Sequence, residues 1–278
     1  MSLQKYLNQN YSASTVKAYA SKIDYYLSSI SNPKTASYSD LIDYLAGERK
    51  RQPSSSLQLL LQGIKKYYKY LIEKEIRADN PAQSIYLKTV KSNAPLILSK
   101  LLSNKELELL WNYFLTKEYR YKNRKNRNIS LVGLLLKQGL RRREIEDLKT
   151  EHIDLEKGQI YIPSSPKTKA RTLALETSQI LPFYRYLKED RPKLLLGKLP
   201  TNSLFITKNK KTEKATLLYY LVKTSKHLLK DKTVNISTIR MSVIATQFKR
   251  GHSLQQVQYF AGHLYPSTTE RYKISNLQ

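Results

Sequence analysis

Along the first third of the chain, apolar residues return at the three- and four-residue spacing that lines them up on one face of a helix. Between Ser12 and Ile30 they are Val16, Tyr19, Ile23, Tyr26 and Ile30; Ser39 to Glu48 repeats the pattern briefly; Ser55 to Lys74 carries Leu57, Leu60, Leu61, Ile64 and Leu71. Residues 12–92 therefore read as helices only, a small bundle that Asn80-Pro81 brings to its end. Ser92 to Pro95 and the Leu-Ile-Leu that follows read as an extended connection. This predicts a helical domain over 1–92, a linker over 93–98 and a second domain over 99–278.

In the second domain the helical pattern resumes and is interrupted once. His152-Ile-Asp-Leu, a turn at Glu156-Lys157-Gly158, the run QIYIP, a turn SSPKTK and the run RTLAL predict a three-stranded antiparallel sheet. The fold class is thus mainly α with one small sheet. No internal repeat or low-complexity tract is present, and the one long polar stretch, Lys117 to Asn128, reads as a basic loop or helix surface. Near the end, Ser253 to Ala261 predicts a helix opened by a Ser253/Gln256 capping box and closed by a left-handed Gly262. Pro266 breaks the chain, and Ser267 with Glu270 predicts a second capping box and a new helix carrying Tyr272. On a single helix His263 and Tyr272, nine residues apart, would face opposite ways. The break lets them converge.

Charge changes the picture most. Lys and Arg number 49 against 22 Asp and Glu, a net charge of +27, which points to a polyanionic partner and to nucleic acid first. A Lys-rich solubilising surface from an AT-rich genome is the plainer account, and a membrane surface the weaker rival. With 278 residues, 40% of them hydrophobic, the chain can bury a core in each of two domains. It contains no run of about 18 apolar residues and no secretory signal pattern. The absence of cysteine excludes disulfide and thiolate chemistry and fits a reducing cytosol. In the third helix the run Lys65 to Tyr70, KKYYKY, interleaves cations and rings in a way that suits a DNA backbone, with Lys65, Lys66 and Lys69 as contacts; alternatively the tyrosines are core and the lysines solvated.

The four histidines, His152, His227, His252 and His263, form no pair at metal-ligand spacing, and no GxxxxGK[ST] loop exists. What remains is a set of cations and a tyrosine. In GLRRREIEDL, Gly139 to Leu148, a helix begins near Arg141, with Glu144 three residues on, where a carboxylate can orient the guanidinium. Lys167 occupies the turn between the second and third strands, and Ser237 to Arg240, STIR, opens another helix. Such groups suit metal-free transesterification of a phosphodiester. Two guanidinium forks match the phosphate oxygens, tyrosine attacks, and a lysine protonates the departing 5′ oxygen.

In order and context these segments resemble the tyrosine recombinases of the lambda-integrase, Xer and Cre type. GLRRREIEDL is similar to their first arginine box, PKTKARTLAL to their lysine hairpin, STIR to their HxxR, and GHLYPSTTERY to their GH-nine-Tyr ending. The SxxTxxxY opening and NP ending of the first domain are similar to their helical core-binding, SAM-like domain, and LSNKELELL to the start of their catalytic domain. The resemblance implies Arg141 and Arg240 as phosphate clamps, Lys167 as general acid with Lys169 and Arg171 as close rivals, His263 as a hydrogen-bonding partner and Tyr272 as nucleophile. Glu144 and Ser237, which stands at the usual histidine position, are implied as supporting residues; apart from the resemblance, Arg142 joins Lys65, Lys66 and Lys69 as a candidate DNA contact.

The implied activity is site-specific cutting and rejoining of double-stranded DNA through a 3′-phosphotyrosyl link, without metal, ATP or other cofactor, by four protomers on two sites in the cytoplasm, with the nucleoid. A DNA-binding protein with weakened chemistry and a type IB-like topoisomerase are the alternatives. With six residues after Tyr272, exchange of a C-terminal helix between subunits is not expected.

Overall fold

The structure, a computed structural model, describes residues 1–87, 100–197, 199–206 and 213–273, with the side chains of 213–217 left aside. The chain divides into two compact units, Met1–Ser92 and Asn93–Gln278. The linker expected at 93–98 lies outside the described residues.

The first unit is a bundle of α1 (Leu3–Asn10), α2 (Ala13–Ser29), α3 (Tyr38–Arg51) and α4 (Ser54–Glu73). The expected helices hold to within a residue or three; α1, too short to show a stripe of its own, is an addition. Its N-terminus is capped by the Ser2 hydroxyl. Helices α2 and α4 pack closely because Gly63 has no side chain: a Cβ there would sit 3.3 Å from Lys22 Cβ. Leu57, Leu60, Leu61, Ile64 and Leu71 meet Val16, Ile23 and Tyr26 in the core. Tyr67 and Tyr68 of the KKYYKY run belong to that core, and the Tyr68 hydroxyl lies 2.6 Å from that of Tyr26. The plainer account of those two rings is the right one.

In the second unit, α5 (Asn104–Thr116) and α6 (Lys125–Leu136) precede the short α7 (Arg142–Asp147). Helix α6 is buried on every residue from Arg127 to Leu136, so the unit is built around it. The reading of Lys117 to Asn128 as a basic loop or helix surface holds through Asn126, where every residue is exposed or half-buried, and fails at the last two, Arg127 and Asn128, which are buried. Arg127 is buried, donating to Asn128 Oδ1 and the Ile206 carbonyl, and Lys117 lies among the rings of Tyr113, Phe114 and Tyr119. The sheet follows as predicted, β1 (Ile153–Asp154), β2 (Gln159–Ile162) and β3 (Arg171–Ala174), antiparallel in that order, with Ile160 opposite Leu173. A helical run from Thr177 contains α8 (Thr177–Arg185), a π-helical turn and α9 (Arg191–Leu195). Then come α10 (Glu213–Thr224), α11 (Ile236–Lys249), α12 (Leu254–Ala261) and α13 (Pro266–Glu270).

The chain ending differs from expectation in one respect. The Ser253/Gln256 box forms and Gly262 is left-handed, at φ 65°. The second box does not form: Pro266 takes the first helical position, so Tyr265 is the N-cap and Ser267 already lies inside α13. Tyr272 follows the C-cap Arg271, its N–H donating to the Thr269 carbonyl at 2.9 Å.

Candidate active site

Two left-handed turns, at Gly139 and Gly262, and the first turns of α11 bring side chains to one place. After α6 the chain turns through Gly139 at φ 60°, a left-handed conformation that a side chain would strain, and enters α7 with Arg141 as N-cap. Glu144 accepts the Arg141 backbone N–H at 2.7 Å, so its carboxylate fixes the start of α7. The Arg141 guanidinium, half-buried, donates to the Lys167 carbonyl at 3.1 Å. Arg240, one turn into α11, is buried; it donates to the Gly139 carbonyl and, at 2.8 Å, to the Ala261 carbonyl, tying α11 to the turn before α7 and to the end of α12.

Past α12, Gly262 turns the chain so that His263 points inward, 2% exposed. Gln258 holds it by the backbone, accepting the His263 N–H at 3.1 Å and donating to its carbonyl at 3.1 Å. His263 Nδ1 lies 2.9 Å from the Thr269 hydroxyl, and its ring stacks on Tyr272 at 5.8 Å between centroids, 23° between planes. Tyr272 is half-buried and also packs on the small cluster of Ile244, Val257 and Ala261. The structure thus brings together Arg141, Glu144, Arg240, His263 and Tyr272.

Lys167 is joined to them through its backbone. It sits on the exposed turn of the β2–β3 hairpin, its N–H on Ser165 Oγ, and its ammonium is exposed. The neighbouring Lys169 is exposed too, but its N–H donates to the Gly262 carbonyl at 3.1 Å, which fastens the hairpin to the residue before His263.

Arg171, the other rival for Lys167, has a different place. It is 2% exposed and pairs fork to fork with Glu144 at 2.9 and 3.1 Å, while its Nε donates to the Phe260 carbonyl at 2.8 Å. A Cβ on Gly262 would come within 2.8 Å of its Cζ, so this glycine serves the packing of Arg171 as well as its own backbone. Glu144 therefore orients Arg171, with Arg240 3.7 Å away, and not the Arg141 guanidinium as its spacing suggested. The sequence held half of this signal: strand alternation puts Arg171 and Leu173 on one buried face.

Ser237 stands inside α11, the helix that STIR was expected to open, and does not cap it. The N-cap of α11 is Asn235, whose side chain accepts the Thr238 N–H at 2.8 Å. Ser237 lies in the first turn, exposed, lining an open cleft with Tyr219, Val222, Lys223 and Val234. Among the described residues its hydroxyl makes no hydrogen bond.

The cluster's charges act on one another. Burial alone would raise the Glu144 carboxyl, but the hydrogen bonds and charge of Arg171, with Arg240 and the Arg141 N–H, hold it below the usual carboxylate range. Burial draws the Arg240 guanidinium down to about 10 against the pull of Glu144, so it stays charged at neutral pH. Burial and the cations Arg240, Arg141 and Arg171 lower His263 to about 4, which makes it a neutral imidazole near pH 7. Among the described residues no three His, Cys, Asp or Glu gather as metal ligands would.

Of the predicted DNA contacts, Lys69 and Arg142 are exposed, Arg142 lying 3.6 Å from Glu146. Lys65 donates to the Gln83 carbonyl at 3.0 Å and lies over the Tyr86 ring, and Lys66 lies over Tyr11.

A buried pair of arginines, a shared carboxylate and a histidine stacked on a tyrosine, on a helical unit with one three-stranded sheet, define a class. Residues 100–278 match the phage integrase family, and residues 3–75 its N-terminal SAM-like domain; the chain belongs to this family, the tyrosine recombinases. It is 24% identical over 275 residues to the tyrosine recombinase XerD of Listeria innocua, covering 94% of this chain and 88% of that protein. To XerD of Staphylococcus epidermidis it is 26% identical over 224 residues, covering 80% and 72%. Its fold is similar to that of the XerH site-specific recombinase bound to its difH substrate, with a TM-score of 0.69 at 22% identity over 88% of this chain and 69% of that one. It is similar also to a lambda integrase dimer bound to a COC′ core site, with a TM-score of 0.67 at 14% identity over 97% and 74%.

Proposed function

We propose that this chain is a site-specific DNA recombinase that cuts and rejoins double-stranded DNA through a 3′-phosphotyrosyl intermediate. One observation carries the reading: residues as far apart in sequence as Arg141, Arg240, His263 and Tyr272 gather in one cluster, where Tyr272 stacks on His263 and the charges of Arg141 and Arg240 are felt by the imidazole. In the reaction Tyr272 gives its phenol proton to water, its oxygen attacks the phosphorus, a bond from tyrosine to phosphorus forms, and the bond to the 5′ oxygen breaks. Lys167 gives its proton to that oxygen, while Arg141 and Arg240 offset the charge gathering on the non-bridging oxygens. The ester bond to tyrosine keeps the energy of the phosphodiester, so rejoining to another 5′ hydroxyl needs no ATP, and none of these steps calls on a metal.

The proposed partner is duplex DNA at specific core sites, held by the +27 charge and contacted at its backbone by Lys65, Lys66, Lys69 and Arg142. The proposed assembly is four protomers on two sites, in the cytoplasm with the nucleoid. The DNA-bound neighbours support the partner, and the assembly and location rest on the family resemblance alone.

The test is a nicked suicide substrate. Wild type is expected to become covalently attached to DNA, and Tyr272→Phe, which keeps the ring and its stack on His263, to bind DNA without attachment. Attachment by Tyr272→Phe would move the nucleophile elsewhere, and no attachment by wild type would leave a DNA-binding protein. Pairing two labelled sites then separates recombinase from topoisomerase, because hybrid products arise only from partner exchange.

A further inference from the structure

Thr269 is fully buried, and its hydroxyl has one hydrogen-bond partner among the described residues, His263 Nδ1 at 2.9 Å. That contact can be made in two ways. If Nδ1 carried the ring proton and donated it, the threonine hydroxyl proton would be left buried without an acceptor, a costly arrangement. If the threonine donates, both groups are satisfied, Nδ1 is the acceptor, and the proton of the neutral ring must sit on Nε2. The environment keeps the ring neutral, since burial and three nearby guanidiniums oppose a second proton. Nε2 makes no hydrogen bond among the described residues, in a ring that is 2% exposed. Its proton is the one left for a ligand.

We propose that Thr269 is a positioning residue that sets His263 as the Nε2–H tautomer, so that the imidazole presents a hydrogen-bond donor to the DNA phosphate and not a base to Tyr272. The inference rests on the proposed recombinase function for what Nε2 meets, and on geometry alone for the tautomer. The same residue holds the nucleophile's backbone, because the Thr269 carbonyl accepts the Tyr272 N–H. One residue of α13 thereby sets both the direction of the histidine's proton and the start of the segment that carries the tyrosine.

The experiment combines nitrogen NMR of the His263 ring near pH 7 with single-turnover cleavage of a suicide substrate, in the full chain and in Thr269→Val and Thr269→Ser. Wild type is expected to show Nδ1 unprotonated. Thr269→Val, which keeps the shape and removes the donor, is expected to populate the Nδ1–H form and slow cleavage roughly ten- to a hundredfold, as when a group orienting a histidine is lost, with DNA affinity unchanged. Thr269→Ser restores both readouts. A wild-type ring protonated at Nδ1, or a Thr269→Val chain with wild-type tautomer and rate, overturns the proposal. Because the wild-type spectrum needs no variant, misfolding of Thr269→Val cannot shelter it. A wild type that never cleaves would defeat the proposed function, and the tautomer would still decide this inference.

Discussion

Arg171 and Glu144 meet fork to fork at 2.9 and 3.1 Å, both buried, one at the start of β3 and the other in α7. Arg240 stands on the same carboxylate at 3.7 Å, so a single negative charge balances two guanidiniums. Removing one partner of such a pair leaves the other charged and buried, at a cost of about 3–5 kcal/mol. Glu144→Gln is expected to lose stability on that scale. Urea unfolding followed by fluorescence reports it directly, because Trp111 is the chain's single tryptophan and is buried in this unit. A loss below about 1 kcal/mol, the scale of an exposed pair, would show that the carboxylate does not hold the cluster together.

How much of this was legible in the sequence depends on how local each cause is. The sheet could be read because β2 and β3 alternate and their turns are marked by Gly158 and Pro166. The left-handed Gly262 could be read because its helix ends there. The Glu144–Arg171 pair could not, since strand alternation turns Arg171 inward but its partner stands 27 residues away. Helix α6 shows the same limit: Arg127 is buried because Ile206, 79 residues on, offers a carbonyl. The Ser267/Glu270 box failed for a local reason that was visible, Pro266 starting the helix before Ser267 could cap it.

Lys167 offers only its backbone to the cluster in this structure, its carbonyl accepting from Arg141 and its ammonium lying exposed on the hairpin turn. Lys167→Ala keeps that carbonyl, so it isolates the ammonium. Cleavage of ordinary DNA is expected to fall by roughly a hundredfold or more, the usual cost of losing a general acid. On a 5′-bridging phosphorothiolate, whose thiolate leaves without a proton, the rate is expected to return. Failure of that rescue would pass the role to Lys169, the next exposed cation on the hairpin.

His263 predicts a pH dependence of stability. Its ring is held at about 4 in the folded chain against an ordinary value near 6.5, so between those values the unfolded chain binds a proton that the folded chain refuses. Stability is therefore expected to fall as pH drops from 6.5 to 4, by up to roughly 3 kcal/mol at 1.36 kcal/mol per unit. Glu144, held below its ordinary value, adds a loss in the same direction at the acid end. Urea midpoints between pH 7 and 4.5, read at Trp111, are expected to slope less in His263→Gln than in wild type. Parallel slopes would place the titration elsewhere.

Asn235 and Ser237 divide two roles that their positions could have joined in one residue. Asn235 caps α11, accepting the Thr238 N–H at 2.8 Å, so Asn235→Ala is expected to cost about 1 kcal/mol. Ser237, exposed in the first turn, caps nothing, and Ser237→Ala is expected to change stability by less than about 0.5 kcal/mol. A serine hydroxyl at the place where the family carries histidine cannot exchange a proton near neutral pH as an imidazole of pKa about 6.5 does. On the proposed mechanism the Tyr272 proton is then expected to leave for water under the field of Arg141, Arg240 and Lys167, and the cleavage rate of wild type to rise with pH above neutrality. Ser237→Ala should follow the same profile within about tenfold, well short of the hundredfold that marks a general acid or base. Ser237→His, with an open cleft to receive the ring, should raise the rate near pH 7 and flatten the profile. Single-turnover cleavage of a suicide substrate from pH 6 to 9 compares the three chains. A loss of a hundredfold or more in Ser237→Ala, with the urea midpoint unchanged, would make the serine hydroxyl itself part of the chemistry and end the idea that the Tyr272 proton leaves without its help.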